Sequence, residues 1–134
     1  MGRHRPRDLS VHVDEADGTA RLIGGYSPAS GRYHFPLAPV CPYTGADDVQ
    51  EVRLSEVGRL WAWTAVTAAP PGYEGPVPYG FGIVELEAEA LRVVGRLTEP
   101  DPARLAAGQP MRVVVERLPG DLDMWAFAPE AAPT

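Results

Sequence analysis

The sequence predicts a mostly β chain, in which a small β element precedes a five-stranded barrel. Glycine (14) and proline (15) are abundant among the 134 residues, which favours short strands and turns over long helices. Segments rich in aromatic and β-branched residues recur between residues 58 and 128, and turn-forming residues separate them. Two near-copies of the pattern x-Pro-x-x-Gly stand before these segments, at 27–31 and 41–45.

The x-Pro-x-x-Gly segments have the shape of a zinc knuckle, Cys-Pro-x-Cys-Gly, in which glycine permits the tight turn and proline stiffens its approach. Ten residues separate Ser30 from Cys41, a normal spacing for a four-cysteine zinc ribbon. Cys41 carries the one thiol among the four ligand positions, because Ser27, Ser30 and Thr44 carry hydroxyls, which stay protonated at neutral pH. We therefore expect residues 20–46 to form a ribbon that keeps its turns and binds no metal.

Five strands and one short helical segment are predicted in the second part of the chain. The helical segment is expected at 101–106, because Asp101 is a good N-cap and Pro102 suits the first helical position. Five strands with a short helix between the third and fourth are the strand inventory of an OB-fold barrel. A Src-homology-type barrel lacks that helix. The strands are expected at 58–66, 79–87, 91–98, 111–118 and 123–128.

The predicted organisation is a polar N-terminal arm at 1–19, the degenerate ribbon at 20–46, the barrel at 47–129 and a tail at 130–134. A single cysteine permits no internal disulfide, which is consistent with a reducing compartment and predicts a cytoplasmic protein. No apolar run approaches the roughly 20 residues needed to span a bilayer. The formal net charge of −6 argues against a large nucleic-acid footprint, which needs clustered positive charge.

Taken together, the segments resemble a known family: the acyl-CoA-associated OB-fold proteins with an N-terminal rubredoxin-like zinc ribbon, long catalogued as a domain of unknown function. The resemblance covers residues 20–129 in order. Its matching features are the paired knuckles, Phe35-Pro36 between them, and the barrel segments 58–64, 79–86, 94–97, 108–113 and 125–129.

This resemblance implies a noncatalytic accessory subunit of a thiolase-like acyl-CoA enzyme. Such subunits serve breakdown of acyl-CoA or steroid side chains and polyketide-type acyl transfer, and some pair with acyl-CoA hydratases. The partner carries the catalytic residues, and the resemblance implies two copies of each chain. It further implies that this chain binds no cofactor directly, with acyl-CoA at an interface shared with the partner. This chain departs from the family's pattern at three of the four metal positions. That difference affects the expectation of zinc binding but leaves the expected association with the partner enzyme unchanged.

Four aromatic residues are the candidates for contact with that partner: Trp61, Tyr73, Tyr79 and Phe81. Trp and Tyr are enriched in interface hot spots, and the proline-rich loop at 70–78 is long for a barrel connection. Trp61 and Trp63 stand two residues apart, so period 2 predicts that both rings share one strand face. We expect Trp63 in the core and Trp61 at the junction between ribbon and barrel.

Two other functions remain open from the sequence. The first is an autonomous thiol-dependent acyl-transfer enzyme, with Cys41 as nucleophile and His34 as its base. No Asn or Asp is clearly placed to orient that histidine. The second is a single-stranded nucleic-acid-binding OB domain, in which barrel aromatics stack on bases.

Overall fold

The computed structural model describes residues 10–14, 16–73, 75–119 and 122–130. The predicted mostly β class is confirmed, and a 3₁₀ turn at Pro102–Arg104 lies between the seventh and eighth strands. The strands are β1 (Val11–Val13), β2 (Ala20–Ser27), β3 (Arg32–His34), β4 (Gln50–Arg53), β5 (Val57–Val66), β6 (Tyr79–Leu86), β7 (Leu91–Leu97), β8 (Pro110–Leu118) and β9 (Leu122–Pro129).

The last five strands close into a barrel in the order β5-β6-β7-β9-β8, and β8 pairs with β5. All pairings are antiparallel except that of β7 with β9, which are parallel where Leu97 lies opposite Phe127. The carboxylate of Asp101 accepts a hydrogen bond of 3.0 Å from the Ala103 amide and caps the 3₁₀ turn. The predicted OB-fold barrel is therefore confirmed, together with its short helical segment.

The N-terminal element is a small sheet centred on β2, which pairs with β1, β3 and β4. The sequence predicts a polar arm over residues 1–19, whereas Val11–Val13 form β1 in the structure. Val11 packs against the hydrophobic core, and this contact anchors a strand too short for its pattern to stand out. Residues 1–9 of the predicted arm and 131–134 of the predicted tail lie outside the described residues.

Ribbon and barrel share one hydrophobic core. The fully buried Leu22 of β2 and Leu54, which follows β4, belong to the same cluster as Phe127 of β9. The barrel contributes its inward-facing residues from every strand, including Leu60, Val84, Val93, Leu97, Met111 and Val113. The ribbon is thus packed onto the barrel through apolar side chains, which fix its position.

The expectation that Trp61 and Trp63 share one face is wrong. A β-bulge interrupts the β5–β6 pairing between Leu60 and Ala62, so Trp61 is the extra residue of β5. The bulge shifts the alternation by one residue. Trp63 therefore lies opposite Gly82 and packs against the core, while the Trp61 side chain points outward and is 50% exposed.

Candidate functional site

An aromatic groove of about 320 Å³ lies at one end of the barrel, between the loop that joins β5 to β6 and the strands β6, β7 and β9. It brings together three of the four candidate partner contacts, Tyr73, Tyr79 and Phe81. OB folds bind their ligands on the face of the second and third strands, beside the loop between the first and second. The groove occupies that position. Its lining residues are Pro70, Tyr73, Tyr79, Phe81, Gly95, Arg96, Met124 and Trp125.

The wall of the groove is a loop folded onto its own tyrosine. The Tyr73 hydroxyl donates a hydrogen bond of 2.8 Å to the Pro76 carbonyl oxygen, and the Tyr73 ring lies 5.1 Å from the Tyr79 ring, centroid to centroid. A Cβ atom on Gly75 would lie 2.3 Å from the Tyr73 hydroxyl oxygen, so glycine is required for this contact. The loop therefore presents a preformed aromatic surface, which lowers the entropic cost of binding.

The floor of the groove is Trp125, which is not among the four partner contacts predicted from the sequence. Its ring covers Gly95 of β7 so closely that a Cβ atom there would lie 2.5 Å from two ring atoms. Trp125 and Phe127 stand two residues apart on β9, and their rings meet edge to face at 5.7 Å. That period-2 spacing was the signal in the sequence, because Phe127 lies in the core and Trp125 extends the same face towards the groove.

Arg96 of the groove and two arginines on the outer face of the barrel are paired with carboxylates. Arg96, in the groove wall, lies 2.5 Å from Glu116, and its guanidinium carbon lies 5.6 Å from the centre of the Tyr79 ring. On the outer face of the barrel, Arg92 pairs with Glu85, and Arg59 pairs with Glu87. This face therefore combines exposed aromatic rings with charges that are paired.

Trp61, the fourth candidate, lies outside the groove. Its ring is on the outer surface of the barrel under the guanidinium of Arg92, at 4.2 Å from ring centre to carbon. The expected place at the ribbon–barrel junction is taken instead by Trp125, whose ring meets Phe35 of the ribbon at 5.7 Å. The bulge explains the difference, because it turns Trp61 away from the barrel interior.

Both predicted knuckle turns are present, and they bring the vestigial ligand positions together. Gly31 and Gly45 have φ angles of +67° and +77°. The Gly31 amide donates a hydrogen bond of 2.8 Å to the Ser27 carbonyl oxygen, and the Gly45 amide donates one of 2.8 Å to the Cys41 carbonyl oxygen. The thiol of Cys41 lies 3.5 Å from the Ser30 hydroxyl. The positive φ values explain why both turns carry glycine at this position, since glycine adopts them without strain.

The donors at these positions do not fit a structural zinc site. Such a site needs four thiolate or imidazole ligands, whereas three of the four positions here hold hydroxyls. The Ser27 hydroxyl is engaged elsewhere, because it donates a hydrogen bond of 2.6 Å to Asp48. Among the described residues, no group of three or more His, Cys, Asp or Glu side chains could hold a metal ion.

Cys41 is buried, with 1% of its surface exposed. Hydrogen bonding between the Cys41 sulfur and the hydroxyls of Ser30 and then Thr44 lowers the pKa of the Cys41 thiol to about 6. The predicted base, His34, is engaged by another group, since its Nε2 accepts a hydrogen bond of 3.3 Å from the Ala38 amide. Among the described residues, no hydrogen bond joins Cys41 to His34. Because the Cys41 side chain is buried, a substrate has no room to reach its sulfur.

In the part of the chain that the structure describes, no helix has the length and apolar character to cross a membrane.

Comparison with known proteins decides the family. The chain is 34% identical over 114 residues to a DUF35 domain-containing scaffold protein of Pyrococcus furiosus, a match that spans 85% of this chain and 82% of that protein. The chain belongs to the family of DUF35 domain-containing scaffold proteins. A second such protein, from Methanocaldococcus jannaschii, is 30% identical over 103 residues, or 76% of this chain and 72% of that protein. The resemblance read from the knuckles and barrel segments is confirmed.

Three further matches are to a family model, a hydratase subunit and a solved aldolase structure. Residues 51–116 match the family described as the ChsH2 C-terminal OB-fold domain. The chain is 31% identical over 102 residues to the alpha subunit of a 3-oxo-4,17-pregnadiene-20-carboxyl-CoA hydratase of Mycobacterium tuberculosis. This match spans 76% of this chain and 32% of that protein. The solved structure named Ltp2-ChsH2(DUF35) aldolase matches with a TM-score of 0.64 and 26% identity, over 81% of this chain and 84% of that one.

Proposed function

We propose that this chain is a noncatalytic accessory subunit of a thiolase-like acyl-CoA enzyme, and that it docks on its partner through the aromatic groove. The observation that carries the proposal is the convergence of Tyr73, Tyr79, Phe81 and Trp125 on the ligand-binding face of the OB fold. Tyrosine and tryptophan at the centre of a preformed groove are the residues from which interface hot spots are made.

The relatives support an assembled rather than a solitary protein. The archaeal relatives are named scaffold proteins, one mycobacterial relative is a hydratase subunit, and the structural neighbour is an aldolase whose name joins two components. We infer two copies of each chain in the complex, with acyl-CoA enclosed at the interface between this subunit and its partner. The catalytic groups then belong to the partner, and this chain binds no cofactor by itself.

The compensated charges favour a protein partner over a single-stranded nucleic acid on the same face. A polyanion binds by displacing counterions with free basic side chains. Arg92 and Arg96 instead lie beside Glu85 and Glu116. The net charge of −6 adds a general repulsion. The aromatic rings therefore serve better as apolar contacts for a protein surface than as stacking platforms for bases.

The experiment that tests this function is co-purification of the tagged chain from its native host, with mass spectrometry of the captured proteins. A thiolase-like protein captured in stoichiometric amount, and lost with a Phe81→Ala chain, is the expected result. Val57→Ala is the matched control, because Val57 is 38% exposed and Phe81 37%, and Val57 lies on β5 opposite Arg112 of β8, away from the groove. Capture of a thiolase-like protein by both variants alike would contradict docking through the groove.

A further inference from the structure

The ribbon keeps both knuckle turns although its donors do not fit zinc. In a zinc ribbon the metal is the cross-link that joins the two knuckles. Side chains from elsewhere in the chain can supply such a cross-link through charge-assisted hydrogen bonds. The side chains around Ser27 identify the replacement.

We propose that Asp48 takes the structural place of zinc, and that its carboxylate is the cross-link that makes this ribbon independent of metal. One oxygen, Oδ1, accepts the Ser27 hydroxyl at 2.6 Å. The other, Oδ2, accepts the amide of Ala29 at 2.7 Å. Asp48 lies beyond the second knuckle, just before β4, so these two bonds join the first knuckle to the chain that leaves the second one.

Burial makes this cross-link necessary. Ser27 is fully buried, at the first vestigial ligand position, and a buried hydroxyl without an acceptor is costly. A carboxylate supplies two acceptors and makes charge-assisted hydrogen bonds, which are stronger than neutral ones. The hydrogen bonds from Ser27 and Ala29 lower the pKa of Asp48 below its ordinary value of 3.8, so it carries its charge at neutral pH.

Independent contacts attach the second knuckle to the first knuckle and to β3. The Tyr43 hydroxyl donates a hydrogen bond of 3.3 Å to the carbonyl oxygen of Tyr33 on β3, and the guanidinium carbon of Arg32 lies 3.8 Å from the centre of the Tyr43 ring. The thiol of Cys41 meets Ser30. The Cys41–Ser30 contact crosses between the knuckles, the two Tyr43 contacts join the second knuckle to β3, and none of the three requires an ion.

The test uses the full chain and its single cysteine as a reporter of ribbon opening. Asp48→Asn keeps the shape of the side chain but places an NH₂ group against a donor, because an amide offers one acceptor oxygen where two are needed. Asp47→Asn is the matched control, since it removes the same charge one residue earlier at an exposed position. The readouts are the rate at which Cys41 reacts with a thiol reagent, the melting temperature with and without a chelator, and the zinc content by elemental analysis.

The purified chain is expected to contain no stoichiometric zinc and to melt at the same temperature with a chelator. Asp48→Asn should raise the labelling rate of Cys41 at least tenfold and lower the melting temperature by about 3 °C or more, while Asp47→Asn leaves both unchanged. About one zinc per chain, or a chelator-sensitive melting temperature, would overturn the proposal. So would an Asp48→Asn chain that labels and melts like the unmodified chain.

Discussion

The ring of Phe35 meets the ring of Trp125 edge to face, with centroids 5.7 Å apart and planes at 85°. Phe35 immediately follows β3 of the ribbon and Trp125 lies on β9 of the barrel, so this pair joins the two parts of the molecule. Trp125 also forms the floor of the aromatic groove. The partner-binding surface that we propose is therefore built on the same side chain that holds the ribbon in place.

A double-mutant cycle measures this junction. Phe35→Ala and Trp125→Ala should each lower the free energy of unfolding, the tryptophan change by about 3 kcal/mol because its ring is partly buried. Together they should cost less than the sum of the single changes, with a coupling of about 0.5–1.5 kcal/mol for the aromatic contact. Chemical denaturation of the four chains supplies the energies. Strict additivity would mean that the two rings do not support each other.

The two tryptophans of β5 should respond differently to truncation. Trp63 packs against the core, and its indole Nε1 donates a hydrogen bond of 3.1 Å to the Pro102 carbonyl oxygen, so Trp63→Ala should cost about 3 kcal/mol. Trp61 is half exposed and contacts Arg92 on the surface, so Trp61→Ala should cost less than about 1 kcal/mol. Thermal melting compares them. A Trp63→Ala chain that melts like the unmodified chain would remove Trp63 from the core.

The hydroxyl contacts of Cys41 predict a stability that depends on pH. The folded pKa of the thiol is about 6, below its ordinary value of 9.0, because Ser30 and Thr44 hydrogen-bond to it. Between these values the unfolded chain binds more protons than the folded chain, so stability should rise with pH across the window. Ser30→Ala should raise the thiol pKa and flatten the rise. Ultraviolet absorbance of the thiolate gives the pKa, and melting temperatures give the slope. A thiol that titrates at its ordinary value in the folded chain would contradict this account.

Restoring the missing thiolates should restore zinc binding. The knuckle turns and their glycines are in place, so Ser27→Cys, Ser30→Cys and Thr44→Cys together supply four thiolates at the spacing of a zinc ribbon. This triple variant should bind one zinc per chain and should melt at a lower temperature once a chelator removes the ion. Elemental analysis and melting with and without chelator provide the check. Failure to bind zinc would show that the turns no longer have ligand geometry.

Pattern and spacing predicted the barrel well, because its long strands carry runs of aromatic and β-branched residues and its turns carry glycine or proline. Pattern and spacing did not predict β1, because a strand of three residues is too short to show an alternating pattern and depends on the packing of Val11 against the core. They failed again at Trp61, because a β-bulge is one extra residue whose position is set by the pairing of two strands and not by either strand alone.

The candidate site was predictable in part. Tyr73, Tyr79 and Phe81 were selected from residue type and loop length, and the fold brings them into one groove. Trp125 was missed because its importance comes from its neighbours, Gly95 beneath the ring and Phe35 at its edge, which are distant in sequence. Asp48 was missed for a similar reason, since an aspartate in a loop reads as a solvent-exposed charge until Ser27 and Ala29 are placed beside it.

The most direct test of the proposed function is a titration of the purified chain with its thiolase-like partner, comparing the unmodified chain with Phe81→Ala and Val57→Ala. If the aromatic groove is the docking surface, Phe81→Ala should weaken association by about 2 kcal/mol, roughly thirtyfold in Kd, while both variants melt like the unmodified chain. Light scattering of the unmodified pair should give a complex with two copies of each chain. Equal affinities for the three chains, or separate species in light scattering, would contradict the account.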